Sequence, residues 1–192
     1  MNICIFGASS ELIDKSYLDS AEELGRKLAL KGHSLVYGGG AQGVMGASAR
    51  GVKSAGGRVI GVSPSFFNVD GVLFVECDEL IYTETMRERK AVMEDNADAF
   101  IIAPGGIGTY EEFFEIFTSK QLARHSKAIV IVYHNGYYNK LIEAMKDAEE
   151  KNFIRHPTLE LYEVMEDIDG IIDYLENYVP QKVDIIKTRG LE

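Results

Sequence analysis

Three glycine-rich runs and one cluster of cations carry the residues of this chain that can do chemistry. The sharpest run is Pro104-Gly105-Gly106-Ile107-Gly108-Thr109-Tyr110-Glu111-Glu112, set between an apolar segment and one with helical apolar spacing. Glycines there let backbone N–H groups converge on a small anion, and the N-terminus of the helix that follows adds a favourable dipole, so phosphate is the natural guest. The same run supports a second reading. Thr109-x-x-Glu112 matches a capping box, in which threonine and glutamate satisfy each other's backbone donors. Capping accounts for Thr109 and Glu112 without requiring Pro104 and the glycines ahead of them.

The cations lie in Met86-Arg87-Glu88-Arg89-Lys90. A charge run on a helix is ordinarily a solvated face. In a chain of formal charge −10 it gains interest if it stands beside a phosphate site. Arg89 could then form a bidentate pair with phosphate or carboxylate, while Lys90 would act as a point charge. The second glycine run, Gly38-Gly39-Gly40-Ala41-Gln42-Gly43, formally satisfies G-x-G-x-x-G. A dinucleotide fingerprint belongs in the first βα turn and expects an acid about 20 positions later. Here the run follows the second strand, and the strand from Arg58 to Val62 ends without Asp or Glu. A phosphate or ribose approaching open N–H groups fits the run, and so does a turn that needs positive φ. Gly7-Ala8-Ser9-Ser10 is a small polar loop that a ligand could also approach.

No other constellation competes. His33, His125, His134 and His156 are scattered without metal-ligand or triad spacing, and His33, just ahead of a strand, reads as a surface loop residue. Phe113, Phe114 and Phe117 recur at helical spacing, which suits core or a subunit interface better than a base-stacking platform.

These loops need a scaffold. Short apolar runs at 3–7, 34–37, 58–62, 99–103 and 128–133 read as strands buried on both faces. Helical spacing is predicted over 16–31, 44–55, 83–96, 110–122, 138–150 and 168–178, with Gly32 at the first C-cap. The stretch 65–82 reads as a loop around one short strand at Val72–Val75. Strands alternating with helices predict a Rossmann-like α/β fold, a doubly wound parallel sheet with helices on both faces. In such folds ligands bind at the carboxyl ends of the strands near the point where strand order reverses, which singles out the loops leaving Phe6, Tyr37 and Ala103. Residues 1–180 are expected to form a single nucleotide-binding domain, and 181–192 a loose C-terminal tail.

At 192 residues with 46% hydrophobic content the chain suits one sizeable core. Its acidity argues against nucleic acid and anionic membrane as partners. No signal segment and no apolar run near the length of about 18 residues needed for a membrane helix is present. Cys4 and Cys77 lack disulfide or zinc spacing, which points to a reducing cytoplasm. No metal and no cofactor is expected.

Taken together, Val36-Tyr37-Gly38-Gly39-Gly40-x-x-Gly43-Val44-Met45-Gly46, Met86-x-x-Arg89-Lys90 and Pro104-Gly105-Gly106-x-Gly108-Thr109-x-x-Glu112 resemble the Lonely Guy (LOG) family. The likeness runs from the Gly7 loop through Gly136-Tyr137-Tyr138-Asn139 to Gly170. It implies a Rossmann-like homodimer or higher homo-oligomer. The implied activity is hydrolysis of the N-glycosidic bond of a nucleoside 5′-monophosphate, either a cytokinin riboside 5′-monophosphate or AMP. Carried over by motif, Arg89 and Glu112 are the catalytic residues. Ser9, Gly39, Gly40, Met86, Lys90, Gly105, Gly106, Ile107, Gly108, Thr109 and Glu111 are the substrate-binding ones. On this reading Glu112 lies by the ribose, the turn Gly105 to Thr109 holds the phosphate, and Arg89 counters charge on phosphate or leaving group.

The chain departs from the family at Arg87, where members carry His, and at Val44, where they carry Leu. It departs again across 65–82, where a substrate-contacting glutamate falls near Gly71. Relatives bear an older lysine decarboxylase label, but no strand-end lysine here has the setting of a pyridoxal Schiff base. A different class of answer is a carrier of a phosphorylated ligand, like the molybdenum-cofactor carrier proteins. It shares the need for glycine loops but not for a carboxylate at the ribose.

Overall fold

The computed structural model describes residues 1–180 together with Val183 and Asp184. The strands are β1 (Asn2–Phe6), β2 (Ser34–Tyr37), β3 (Val59–Pro64), β4 (Glu79–Thr83), β5 (Ala99–Ile102), β6 (Ala128–Val132) and β7 (Glu163–Met165). They form one sheet in the order β4-β3-β2-β1-β5-β6-β7, with every pairing parallel. The helices are α1 (Lys15–Leu30), α2 (Gly43–Ser54), α3 (Met86–Asn96), α4 (Ile107–Gln121), α5 (Asn139–Glu150), the one-turn α6 (His156–Leu159) and α7 (Ile168–Asn177). Strand order reverses between β1 and β5, so the loops after β1, β2 and β5 meet at the switch point, the crevice where such sheets receive ligands.

Alternation along the strands splits the core in two. Ile3, Ile5, Leu35, Tyr37, Ile101 and Val130 face Leu24 and Leu28 of α1, Val52 of α2 and Ile171 of α7. Cys4, Phe6, Val36, Phe100, Ile102 and Ile131 face Met93 of α3, Phe113 and Phe117 of α4 and Met145 of α5. A sheet covered on both faces needs apolar residues at every position, which is why β1, β5 and β6 read as unbroken apolar runs. Each large side chain buried there contributes roughly 1.5–3 kcal/mol.

The structure corrects several expectations. Val72–Val75 is not a strand. Its one sheet-like contact is an antiparallel bridge between Leu73 and Gly40, and the true strand of that region is β4, which pairs with β3 on one side and stands at the sheet edge. An edge strand is half exposed, and Tyr82 is outward-facing, so it lacks the apolar run that marked the central strands. β7 escaped notice because three residues are too few to show a period. His33 is not a surface residue: it is buried, with the N-terminal amino group 3.3 Å from Nδ1 and Glu176 3.1 Å from Nε2. Apart from Val183 and Asp184, the expected loose tail at 181–192 lies outside the described residues. Among the described residues, no helix is long and apolar enough to cross a membrane.

Candidate active site

The turn after β5 opens directly into α4. Its N-cap is Gly106, with no side-chain cap, so the helix starts three residues earlier than periodicity suggested. Thr109 therefore sits inside the first turn and is not the partner of a Thr109–Glu112 capping box. The box exists elsewhere: Thr85 Oγ1 accepts from Glu88 N–H at 3.1 Å, and Glu88 Oε2 accepts from Thr85 N–H at 3.2 Å, which starts α3. The first amides of α4 have neither intrahelical acceptors nor a side-chain cap, which leaves an uncapped positive helix end. Gly106, Ile107 and Gly108 are exposed, with Ile107 at 84%, and the space beside Gly106 and Gly108 is open. Thr109 is buried beneath them.

Behind this turn stands a buried ion pair. Arg89 and Met93 are the inward residues of α3, four apart on one face. Arg89, 7% exposed, donates from Nε to Val62 O at 3.2 Å and from Nη1 to Glu112 Oε1 at 3.0 Å. Its Nη2 lies so close to Gly38 that a Cβ at that position would run into it, so the glycine is what admits the guanidinium. Burial pushes the Glu112 carboxyl up to about 7, against the opposing pull of Arg89. A carboxyl poised near neutral pH can accept a proton or offer negative charge without large reorganisation.

A cavity of about 640 Å³, within the range of ligand pockets, adjoins the pair. Ser9, Gly38, Gly40, Gln42 and Met45 come from the first two glycine loops, Ser63 from β3, and Arg89 from α3. The far wall is Phe67, Asp70, Gly71, Val72 and Leu73. That segment folds back over the second glycine loop, with Phe74 N–H bonded to Gly39 O and Ala41 N–H to Val72 O. Gly43, at φ +63°, lies where any side chain would strike Ala8 and Ser9, so it lets α2 begin hard against the first loop. Ala8 N–H in turn bonds Pro104 O at 3.0 Å, joining the cavity to the turn ahead of α4.

Of the residues singled out from sequence, Ser9, Gly40 and Arg89 form the cavity wall, with Glu112 directly behind Arg89. Gly105 and Thr109 are buried at the turn, and Gly106, Ile107 and Gly108 form its open rim. Gly39 packs beneath the folded-back segment and lies outside the wall. Met86 is exposed at the start of α3. Lys90 does not reach the cavity: its amine pairs with Glu111 and, at 2.5 Å, with Glu115, both on α4. Sequence reasoning missed Gln42, Met45, Ser63, Phe67, Asp70 and Leu73. Asp70 had a faint signal, since it adjoins Gly71, where the resemblance placed a substrate-contacting acid. The buried lysine Lys120, at the far end of α4, bonds Leu161 O at 2.8 Å and Tyr178 Oη at 3.0 Å, away from every glycine loop.

Fold and site define a class: a doubly wound α/β protein with an open helix N-terminus and a buried Arg–Glu pair at the switch point. The chain belongs to the LOG family, whose model, described as "Possible lysine decarboxylase", matches residues 45–175. It is 38% identical over 178 residues to a probable cytokinin riboside 5′-monophosphate phosphoribohydrolase, LOGL9, of Oryza sativa subsp. japonica, covering 93% of this chain and 78% of the relative. It is 35% identical over 190 residues to the cytokinin riboside 5′-monophosphate phosphoribohydrolase LOG1 of Arabidopsis thaliana, covering 99% and 89%. Among solved structures it resembles the Moco carrier protein of Chlamydomonas reinhardtii at a TM-score of 0.68 and 24% identity, covering 91% and 94%, a likeness of fold alone.

Proposed function

We propose that this protein hydrolyses the N-glycosidic bond of a nucleoside 5′-monophosphate, a cytokinin riboside 5′-monophosphate or AMP, releasing free base and ribose 5-phosphate. The observation that carries this reading is the buried Arg89–Glu112 pair, which links the cavity wall, through Arg89, to α4 and its uncapped start, through Glu112. The names of relatives at 33–38% identity agree with it. The amides of Gly106, Ile107 and Gly108 take the 5′-phosphate. The C1′–N bond breaks with its electron pair leaving on the base, and positive charge develops on the ribose, where Glu112 stabilises it. The departing base takes up a proton from solvent, water bonds to C1′ and passes one proton to Glu112, and Glu112 releases that proton to solvent, so one water is consumed in all. Arg89 offsets negative charge as it develops and holds Glu112 in place.

The wall of Phe67, Asp70 and Leu73 faces the base. The carrier alternative has only a shared fold behind it. Residues 1–180 act as one nucleotide-binding unit, working as a homodimer or larger homo-oligomer in the cytoplasm, which sedimentation and fractionation would check. The decisive assay incubates the protein with AMP and with isopentenyl-adenosine monophosphate and follows free base by chromatography. Release of base is expected, and ligand protection against unfolding without turnover would give the case to the carrier.

A further inference from the structure

The turn that meets the phosphate is held from behind by side chains that neither of the catalytic motifs contains. Three successive carbonyl oxygens are each occupied. Tyr138 Oη donates to Ala103 O at 2.8 Å, Ala8 N–H donates to Pro104 O at 3.0 Å, and Tyr137 Oη donates to Gly105 O at 2.6 Å. Both tyrosines come from the turn between β6 and α5, and their rings lock one another. They meet edge to face at 4.9 Å, with Tyr110 of α4 against Tyr138 at 5.8 Å and Tyr17 of α1 against Tyr137 at 5.9 Å. Tyr138 is buried, and burial raises both phenols above their ordinary value, so they stay protonated and remain donors.

A trans peptide is planar, with its C=O and N–H on opposite sides. Holding Gly105 O towards Tyr137 therefore turns the N–H of Gly106 the other way, away from the phenol, at an exposed glycine that itself has open space beside it. A Gly-Gly peptide is the least constrained of all and would otherwise sample many orientations. We infer that Tyr137 and Tyr138 are positioning residues that preset the Gly105–Gly106 peptide, so that its amide and those opening α4 face the 5′-phosphate of the substrate. This rests on the hydrolase reading for its substrate but makes a separate claim, because the phenols act on phosphate binding and not on bond cleavage.

The test is Tyr137→Phe, which keeps the ring at a partly exposed position and removes only the hydroxyl. Loss of one such bond should raise the KM for AMP and the Kd for ribose 5-phosphate by about three- to ten-fold, with kcat changed less. Affinity for adenosine, which lacks the phosphate, should stay as in the wild type, and so should Tm. Tyr138→Phe should act in the same direction. If that buried variant misfolds, Tyr137→Phe decides alone. An unchanged Kd for ribose 5-phosphate in folded Tyr137→Phe, or an equal loss for adenosine and AMP, overturns the inference. Wild-type protein that binds AMP without cleaving it would end the hydrolase reading while the Kd ratio still settles this one. Wild-type protein that releases base from AMP yet binds no ribose 5-phosphate would end this inference and leave the hydrolase reading standing.

Discussion

Helix α4 carries a buried ionisable side chain near each end, and the two ends differ in kind. Glu112, 8% exposed, stands one turn in from the open N-terminus, and Lys120, 3% exposed, stands one residue from the last. Burial drives both towards their neutral forms, the carboxyl up to about 7 and the amine down to about 8. What separates them is the company they keep. Lys120 donates to a carbonyl and a phenol and lies over the Tyr178 ring, tying α4 to the entry of β7 and to the residue that ends α7. Glu112 is bonded to an arginine that itself forms a cavity wall, on a helix whose opening amides have no side-chain cap among the described residues. A shifted ionisable group marks a candidate site only when open donors and room for a ligand converge on it.

Glu112→Gln probes the larger side of that contrast. It keeps the shape and one acceptor for Arg89 while removing the negative charge, so AMP hydrolysis should fall by about 10²-fold or more. Thermal unfolding should confirm an intact fold. Near-normal release of ribose 5-phosphate would reduce Glu112 to a structural partner of Arg89.

The pH dependence should separate the ends next. Activity that needs ionised Glu112 should fall as pH drops through about 7, and this limb should be missing from whatever activity Glu112→Gln retains. Stability behaves oppositely. A carboxyl raised from 4.5 to about 7 binds more protons folded than unfolded across that window, so its contribution declines as pH rises through it. For Lys120, lowered from 10.5 to about 8, the unfolded chain binds more protons between those values, so stability gains as pH rises there. Denaturant titrations across both windows would show the two slopes.

A smaller effect is expected at the far wall of the cavity. Asp70→Asn keeps size and removes charge, and should alter the kcat/KM ratio between AMP and its isopentenyl analogue by several-fold, below the ~10- to 200-fold that one methylene in an apolar pocket gives. An unchanged ratio would detach Asp70 from base choice. The smallest effect belongs to Lys120→Met. Hydrolysis should match the wild type, stability should move by no more than about 1–3 kcal/mol from the unpaired Leu161 carbonyl, and the gain in stability that Lys120 supplies between pH 8 and 10.5 should be lost from the slope. Loss of activity in a folded Lys120→Met protein would mean that the two ends of α4 are coupled.

The central strands and the three glycine loops were legible because each is a local pattern: an unbroken apolar run for a strand covered on both faces, and glycine where backbone must stay bare. Arg89 and Glu112 were legible as residue types at motif spacing. Their partnership was not, because they lie 23 residues apart on different helices. Lys90 stands beside Arg89 in sequence, and its pairing with Glu111 and Glu115 of α4 could not be read from charge alone. Thr109-x-x-Glu112 carries the signature of a capping box, yet the box stands at Thr85, because the signature is short and α4 begins on bare glycine.

By itself, then, the order of residues settled the alternation of strand and helix and the places where glycine leaves the backbone bare, since both depend on neighbours along the chain. Only the tertiary structure decided which side chains meet there. Folding brought Arg89 to Glu112, laid the segment from Phe67 to Leu73 over the cavity, and set two tyrosine hydroxyls on carbonyls of the turn ahead of α4. Such meetings are fixed by strand order and the packing of distant elements, which no local spacing encodes.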